Sequence, residues 1–381
     1  MLKVMTIVGT RPELIKMSRV IAEFDRHTRH VLVHTGQNYD YELNQIFFDD
    51  LGIRRPDHFL EAQGETAAQT IGQVIMAADR VIEAEMPDAI MLYGDTNSCL
   101  SVIAAKRRKV PVFHMEAGNR CFDQRVPEEL NRRVVDHLSD INMVLSEHAR
   151  RYLVAEGIRP ETIIQTGSHM GEVLHHYRDG IAASGVLGDL GLTRHGYFIA
   201  SIHREENVDS PETLRTLLDC LNGLAMAHDL PVIVSTHPRT RKRLDALDGA
   251  TPDPRIRFLK PFGFFDYIRL QLDSRCVISD SGTITEEAAF LNLPAVTLRN
   301  THERPEGMDV GTLVMCGLDR DSLLDSVRIV CDQHDAATRK IPMIPDYVSD
   351  IDPHPVSRQV LRIVRSYTGY VRRTVWHDTG V

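Results

Sequence analysis

Short groups of carboxylates and cations recur along the chain. Gly9-Thr10-Arg11-Pro12-Glu13, with Lys16 a turn later, follows an apolar run. Pro12 suits a first helical turn, and Thr10 can cap it. A helix start carrying Arg11 and Lys16 is a candidate anion site, although an ordinary capped helix with solvated charges accounts for the same residues. The segment fits neither G-x-x-x-x-G-K-[ST] nor G-x-G-x-x-G, so neither nucleotide loop is indicated. Tyr93-Gly94-Asp95-Thr96 places a carboxylate after a turn-permitting glycine. Asp95 there either reaches a ligand or caps the next helix. His114-Met115-Glu116-Ala117-Gly118-Asn119-Arg120 offers Glu116 at a strand end, either for a ligand or in an ion pair with Arg120. Val126-Pro127-Glu128-Glu129 opens a helix, where acidic residues favour the dipole without any further role.

The second half carries groups suited to phosphate. Ser201-Ile202-His203-Arg204-Glu205-Glu206-Asn207 ends a strand with His203, a residue type suited to acid–base work or to donating to a phosphate. A structural histidine fits equally. Thr236-His237-Pro238-Arg239 repeats that ambiguity at His237. In Ser279-Asp280-Ser281-Gly282-Thr283-Ile284-Thr285-Glu286-Glu287, the residues Ser281, Gly282 and Thr283 offer backbone N–H groups and hydroxyls at a helix start. That is a nest for a diphosphate, with Glu287 placed to accept from ribose hydroxyls and Arg304 as a further cation. A capped helix with a solvated acidic turn is the plainer alternative. Asp350-Ile351-Asp352 has the D-x-D form of a metal site, but it follows no strand and precedes Pro353, so it reads as a surface loop.

These groups need a scaffold that presents strand ends. Strands are expected at Lys3–Val8, Val31–His34, Ala89–Tyr93, Val110–His114 and Ile141–Leu145. A second series comprises Tyr197–Ile202, Pro231–Ser235, Arg255–Leu259, Cys276–Ser279 and Ala295–Leu298. Ile71, Val74, Ile75, Ala78, Val81 and Ile82 form a 3.6-residue stripe, as do Leu214, Leu217, Leu218, Leu221 and Leu224. Alternating strands and helices predict an α/β chain with parallel sheets: two Rossmann-like, doubly wound domains with a ligand cleft between them. Glycines crowd the stretch from His175 to Gly196, which predicts an interdomain segment. The expected boundaries are 1–174, 175–354 and a last helix over about 355–381.

The chain has 381 residues, 43% hydrophobic and 25% charged, with formal net charge −9. At ~150 residues per domain this is a globular chain of two to three domains. The acidic balance disfavours nucleic acid and anionic membranes as partners. Cys99, Cys121, Cys220, Cys276, Cys316 and Cys331 form no C-x-x-C pair, which fits a reducing compartment and gives no zinc or redox motif. No run approaches ~20 apolar residues and the start lacks a signal-peptide core, so no membrane span and a cytoplasmic location are expected.

Taken together and in order, GTRPELIKM, YGDTNS, HMEAGNR, VPEELNRR, HREEN and SDSGTITEE…TLRNTHERPE resemble the non-hydrolysing UDP-N-acetylglucosamine 2-epimerase family. The resemblance runs from Lys3 to about Gly311. It implies a GT-B architecture, a C-terminal helix returning to the first domain, and a homodimer. It also implies inversion at C2 of a UDP-sugar by elimination of UDP to a 2-acetamidoglycal and re-addition, with no cofactor or metal. The residues it implies for catalysis are Asp95, Glu116 and Glu128, with His203 and Lys16. Arg11, Ser281, Gly282, Thr283, Glu287 and Arg304 would hold the nucleotide, with His237 and Tyr267 as further contacts. Three departures stand out. Asn119-Arg120-Cys121 replaces the family's Leu-Arg-Thr after Glu-Ala-Gly, Asn38-Tyr39-Asp40 replaces a His-Arg-Glu, and Thr283 replaces a second glycine. With GNRCFDQRVPEE, these variants resemble the branch making UDP-N-acetyl-L-fucosamine from UDP-2-acetamido-2,6-dideoxy-L-talose, which implies capsule or O-antigen polysaccharide synthesis. A UDP-N-acetylglucosamine/UDP-N-acetylmannosamine 2-epimerase is the nearest alternative; a GT-B glycosyltransferase, a silent UDP-sugar binder and a hydrolysing epimerase are further ones.

Overall fold

The computed structural model describes residues 1–36, 48, 50–236, 238–247, 251–334 and 341–378. These fall into two units, Met1–His176 with Pro345–Val381, and Tyr177–Ile344. The return to the first unit therefore begins at Pro345 rather than at 355.

In the first unit the strands are β1 (Lys3–Val8), β2 (Arg29–His34), β3 (His58–Phe59), β4 (Ala89–Tyr93), β5 (Val112–Met115), β6 (Ile141–Val144) and β7 (Ile163–Gln165). Among the described residues they form one parallel sheet in the order β3-β2-β1-β4-β5-β6-β7. Helices cover both faces of such a sheet, which is why β4 is apolar and buried at all five positions. Helix α1 (Arg11–His27) starts at the cap residue Thr10 with Pro12 in its first turn. Helix α2 (Ala67–Glu85) begins in a capping box: Thr66 Oγ1 accepts from Gln69 N at 3.2 Å, and Gln69 Oε1 accepts from Thr66 N at 3.1 Å. Its stripe buries Val74, Ala78 and Ile82 and lays Ile71, Ile75 and Val81 on the same core. Helix α3 (Pro127–Leu138) follows β5. Helix α4 (Met170–His176) ends the first long stretch of this unit.

The second unit holds β8 (Phe198–Ser201), β9 (Val232–Ser235), β10 (Ile256–Leu259), β11 (Cys276–Ser279), β12 (Ala295–Thr297) and β13 (Val314–Met315). Their parallel order is β10-β9-β8-β11-β12-β13, the same doubly wound pattern as the first six strands of the other sheet. Helix α5 (Pro211–His228) buries Leu214, Leu217, Leu218, Leu221 and Leu224. Helices α6 (Phe264–Leu272) and α7 (Ile284–Leu291) flank β11 in sequence. Helix α8 (Val356–Val375) belongs to the first unit. It packs on α1, and Arg372 reaches Asp88 Oδ1 at 2.8 Å.

The glycine-crowded stretch is not a loose linker. It forms helices Arg178–Ala183 and Val186–Leu190 in the second unit. Val186 is buried there and Leu187, Leu190 and Leu192 pack against the same core, while Gly191 closes the turn at φ +63°. The glycines punctuate short helices whose apolar residues have a core to join. Strands β3, β7 and β13 went unexpected because each is an edge strand of two or three residues, too short to show a period.

Candidate active site

Each sheet reverses its strand order once, between β1 and β4 and between β8 and β11. The carboxyl-end loops diverge at such a point, which opens a crevice for ligands. Gly9-Thr10-Arg11 and Gly94-Asp95-Thr96 are the two loops there in the first unit. His203-Arg204 and Asp280-Ser281-Gly282 are their counterparts in the second.

In the first unit Glu116 directly follows β5 with φ +63°, a left-handed conformation that costs a non-glycine residue of order 1 kcal/mol or more. Such strain persists where function or surroundings demand it. Its carboxylate takes Lys16 Nζ at 2.8 Å and a hydrogen bond from the Tyr93 hydroxyl. Both ends of the Lys16–Glu116 pair are nearly buried, with side chains 4% and 11% exposed. Gly118 is obligatory close by: at φ +83°, a Cβ would stand 2.6 Å from Ala149 O. The alternative pair Glu116–Arg120 does not form. Arg120 is fully buried, with NH1 2.7 Å from Asp136 Oδ2 and a forked contact to Glu156 at 2.8 and 2.7 Å. Burial alone would raise Asp136, but His114 and Arg120 together hold its carboxyl below the ordinary range.

Asp95 does not cap the following turn. Thr96 does, accepting from Ser98 N at 3.3 Å. Asp95 Oδ2 instead accepts from Arg132 Nε at 2.7 Å, and Asn131 Nδ2 donates to Asp95 O at 2.9 Å. Helix α3 thus reaches back and fixes the Asp95 loop. Its two leading acids divide. Glu129 is fully buried and accepts from Cys121 N at 3.0 Å, Phe122 N at 3.2 Å and Arg132 NH1 at 3.1 Å. Glu128 is partly exposed and makes no hydrogen bond or ion pair among the described residues. Arg11 is partly exposed at the first turn of α1.

Glu13 is a buried acid that the sequence reading left without a role. It accepts from Gly9 N, from Thr10 N at 3.2 Å and from Thr96 Oγ1 at 2.5 Å, tying the β1 and β4 loops together. Burial pushes its carboxyl up to about 7 against those hydrogen bonds. The Thr10-x-x-Glu13 spacing of a capping box was the available signal.

In the second unit Asp280 is the organiser, also unassigned from sequence. Fully buried, it accepts from His203 N at 3.1 Å, Arg204 N at 2.9 Å and Asn207 Nδ2 at 3.1 Å. The His203 side chain remains 45% exposed, with Nδ1 3.4 Å from Asp280 Oδ1. Ser281 Oγ lies 3.1 Å from Thr283 Oγ1 in the turn before α7. Gly282 lies close beneath the Glu303 side chain: a Cβ there would stand 2.5 Å from Glu303 Oε1 and would displace that carboxylate. Glu303 pairs with Arg204 at 3.0 Å and with Arg299. Arg304, expected as an available cation, is 3% exposed with NH1 2.8 Å from Glu286 Oε2. Its charge is already countered by a buried carboxylate. Glu287 Oε2 accepts from Gln271 Nε2 at 2.7 Å. Burial, with Glu287 nearby, pushes the Tyr267 phenol up.

His237 and Asn38-Tyr39-Asp40 lie outside the described residues. Asp350 and Asp352 are in exposed or partly exposed loop, as expected. Among the described residues no group of three His, Cys, Asp or Glu side chains is arranged to hold a metal, and no helix is long and apolar enough to cross a membrane.

Two doubly wound, parallel-sheet α/β units in one chain define the GT-B fold class. The family described as UDP-N-acetylglucosamine 2-epimerase matches residues 22–349. A relative from Methanocaldococcus jannaschii called UDP-N-acetylglucosamine 2-epimerase is 32% identical, covering 86% of this chain and 92% of its own. A Pseudomonas aeruginosa relative called UDP-2,3-diacetamido-2,3-dideoxy-D-glucuronate 2-epimerase is 35% identical over 86% of this chain and 92% of its own. Among solved structures, a UDP-N-acetylglucosamine 2-epimerase from Rickettsia bellii is 54% identical with TM-score 0.91, covering 99% of this chain and 100% of the other. The M. jannaschii enzyme in complex with UDP-GlcNAc and UDP has TM-score 0.87 at 28% identity, covering 96% and 100%. The chain belongs to the non-hydrolysing UDP-N-acetylglucosamine 2-epimerase family. It is an isomerase, a UDP-sugar 2-epimerase.

Proposed function

We propose that the enzyme inverts C2 of UDP-2-acetamido-2,6-dideoxy-L-talose to give UDP-N-acetyl-L-fucosamine. The observation that carries the sugar series is the segment Gly118-Asn119-Arg120-Cys121-Phe122-Asp123-Gln124-Arg125-Val126-Pro127-Glu128-Glu129, which departs from the UDP-N-acetylglucosamine pattern next to Glu116. UDP-N-acetylglucosamine is the second reading, favoured by the name of the Rickettsia bellii relative.

The C2 proton lies beside no carbonyl in the ring, so direct deprotonation is unfavourable. Cleavage of the C1–O bond expels UDP with its electron pair and leaves C1 cationic, which acidifies C2–H. A carboxylate then takes that proton, giving the 2-acetamidoglycal. A proton delivered to the opposite face of C2 and attack of UDP on C1 complete the inversion. Two faces call for more than one acid–base group. Asp95 and Glu116 are assigned as the proton-transfer pair, with Glu128 orienting the sugar or sharing the task. Lys16, paired with Glu116, steadies that carboxylate rather than standing open for phosphate. His203, with Arg11, His237, Ser281, Gly282 and Thr283, is assigned to the diphosphate, where developing charge needs donors in place. Glu287 and Tyr267 are assigned to the nucleoside, and buried Arg304 to the shape of the Ser281–Thr283 turn. The sugar chemistry thus falls to the first unit and UDP binding to the second. The reading extends to a homodimer in the cytoplasm supplying capsule or O-antigen synthesis.

The test is NMR of product from each UDP-sugar in deuterated water without acceptor. Deuterium at C2 and inversion of the L-talose substrate at the higher kcat/KM support the reading. Preference for UDP-N-acetylglucosamine moves the assignment to the second series.

A further inference from the structure

We propose that Tyr93 is a positioning residue for proton transfer, its hydroxyl holding and tuning the Glu116 carboxylate. This rests on the reading of Glu116 as a proton-transfer group. Tyr93 ends β4 and is 3% exposed, so its hydroxyl is delivered from a rigid strand rather than a loop. That hydroxyl donates to Glu116 Oε2, the oxygen that also takes Lys16 Nζ at 2.8 Å. The ring itself is clamped. Lys16 Nζ stands 5.6 Å from its centroid, and the His169 ring meets it edge-on at 5.2 Å and 82°. Cys99 Sγ closes the turn behind it by donating to Tyr93 O at 2.9 Å.

Glu116 is held in a left-handed backbone, and two donors on one oxygen hold its carboxylate. Among the described residues, the titratable groups around this carboxylate include Lys16 from α1, Tyr93 from β4 and Cys99 from the turn after β4, with His169 at the far side of the tyrosine ring. Donation to the charged form favours ionisation, which suits a group that must begin as a base. Once Glu116 has taken the C2 proton, the same donors favour its ionised form and so its release of that proton away from the sugar, while the second acid–base group serves the opposite face of C2. A phenylalanine at this position fills the same space and removes only the donor.

The experiment compares Tyr93→Phe with the unchanged enzyme and with Glu116→Gln, using UDP-2-acetamido-2,6-dideoxy-L-talose and UDP-N-acetylglucosamine. For Tyr93→Phe, kcat falls about tenfold, the loss of one hydrogen bond to a charged group, while KM changes less than about twofold. The acid limb of the pH–kcat/KM profile moves to higher pH, because the carboxylate has lost a donor to its ionised form. A purely structural tyrosine lowers melting temperature and leaves that limb in place, which overturns the proposal, as does an unchanged kcat. If Glu116→Gln retains turnover, the reading of Glu116 fails instead, and the Tyr93 proposal with it. If Glu116→Gln is inactive while Tyr93→Phe matches the unchanged enzyme, the Tyr93 proposal alone fails.

Discussion

Arg132 Nε meets Asp95 Oδ2 at 2.7 Å, while NH1 of the same guanidinium meets Glu129 Oε2 at 3.1 Å. One side chain on α3 therefore links a candidate catalytic acid to a fully buried one. Glu129 in turn holds the backbone at Cys121 and Phe122. The loop that departs most from the family pattern is anchored to Asp95 through a single arginine.

Arg132→Lys should break this link, since a lysine offers a point charge where the fork serves two acids. The expected outcome is a kcat lowered by about tenfold to a hundredfold, with one or two charge-assisted hydrogen bonds lost. Steady-state kinetics beside circular dichroism checks it; an unchanged kcat removes Arg132 from the positioning of Asp95.

Glu116→Gln should abolish epimerisation and exchange of C2–H with solvent while leaving UDP affinity within a factor of a few. The contacts assigned to UDP lie mainly on the second unit, whereas Glu116 belongs to the first. Isothermal titration with UDP and C2 deuterium exchange read the two effects separately. A large loss of UDP affinity with exchange intact reverses the assigned division of labour.

Arg304→Ala should both weaken UDP binding and destabilise the second unit. Removing a buried cation strands Glu286, whose side chain is 0% exposed, and breaking such a pair costs about 3–5 kcal/mol. UDP affinity should fall as well, through the Ser281–Thr283 turn assigned to Arg304 rather than through a lost contact with UDP. Urea unfolding of Arg304→Ala, of Glu286→Gln and of the double variant gives the coupling; additivity of the two losses contradicts a direct pair.

Glu13 makes stability depend on pH in an unusual direction. Its folded value is about 7 against 4.5 for the free group, so the native chain binds more protons between those values. Stability from this group therefore falls as pH rises from 4.5 through 7, and the cost above 7 approaches about 3 kcal/mol. Glu13→Gln removes the charge and keeps an acceptor for the Gly9 and Thr10 amides. Relative to the parent, it should gain stability from pH 5 to pH 8 in denaturant titrations. A pH-independent difference shows that Glu13 is not held near neutrality by burial.

Much of this arrangement was legible in the chain itself. Apolar runs such as Lys3–Val8 and Ala89–Tyr93 read as strands, and the apolar stripes now found in Ala67–Glu85 and Pro211–His228 read as helices with a core to face. Gly94 marked a tight turn at a strand end, and the structure gives it φ +69°. Residue type and short-range spacing carry such information, since secondary structure repeats every two or 3.6 residues.

Partners across the fold were not legible. Lys16 meets Glu116 a hundred residues away, Arg304 meets Glu286, and Arg120 turns from Glu116 to Asp136 and Glu156. Charge alone allows each cation many acids. Strand order and the depth of burial choose among them, because a buried charge must be matched where it lies. The sequence thus determined which residues stand at strand ends. Only the tertiary structure decided that Glu13, Tyr93 and Asp280 hold those ends in place, and which acid each arginine serves.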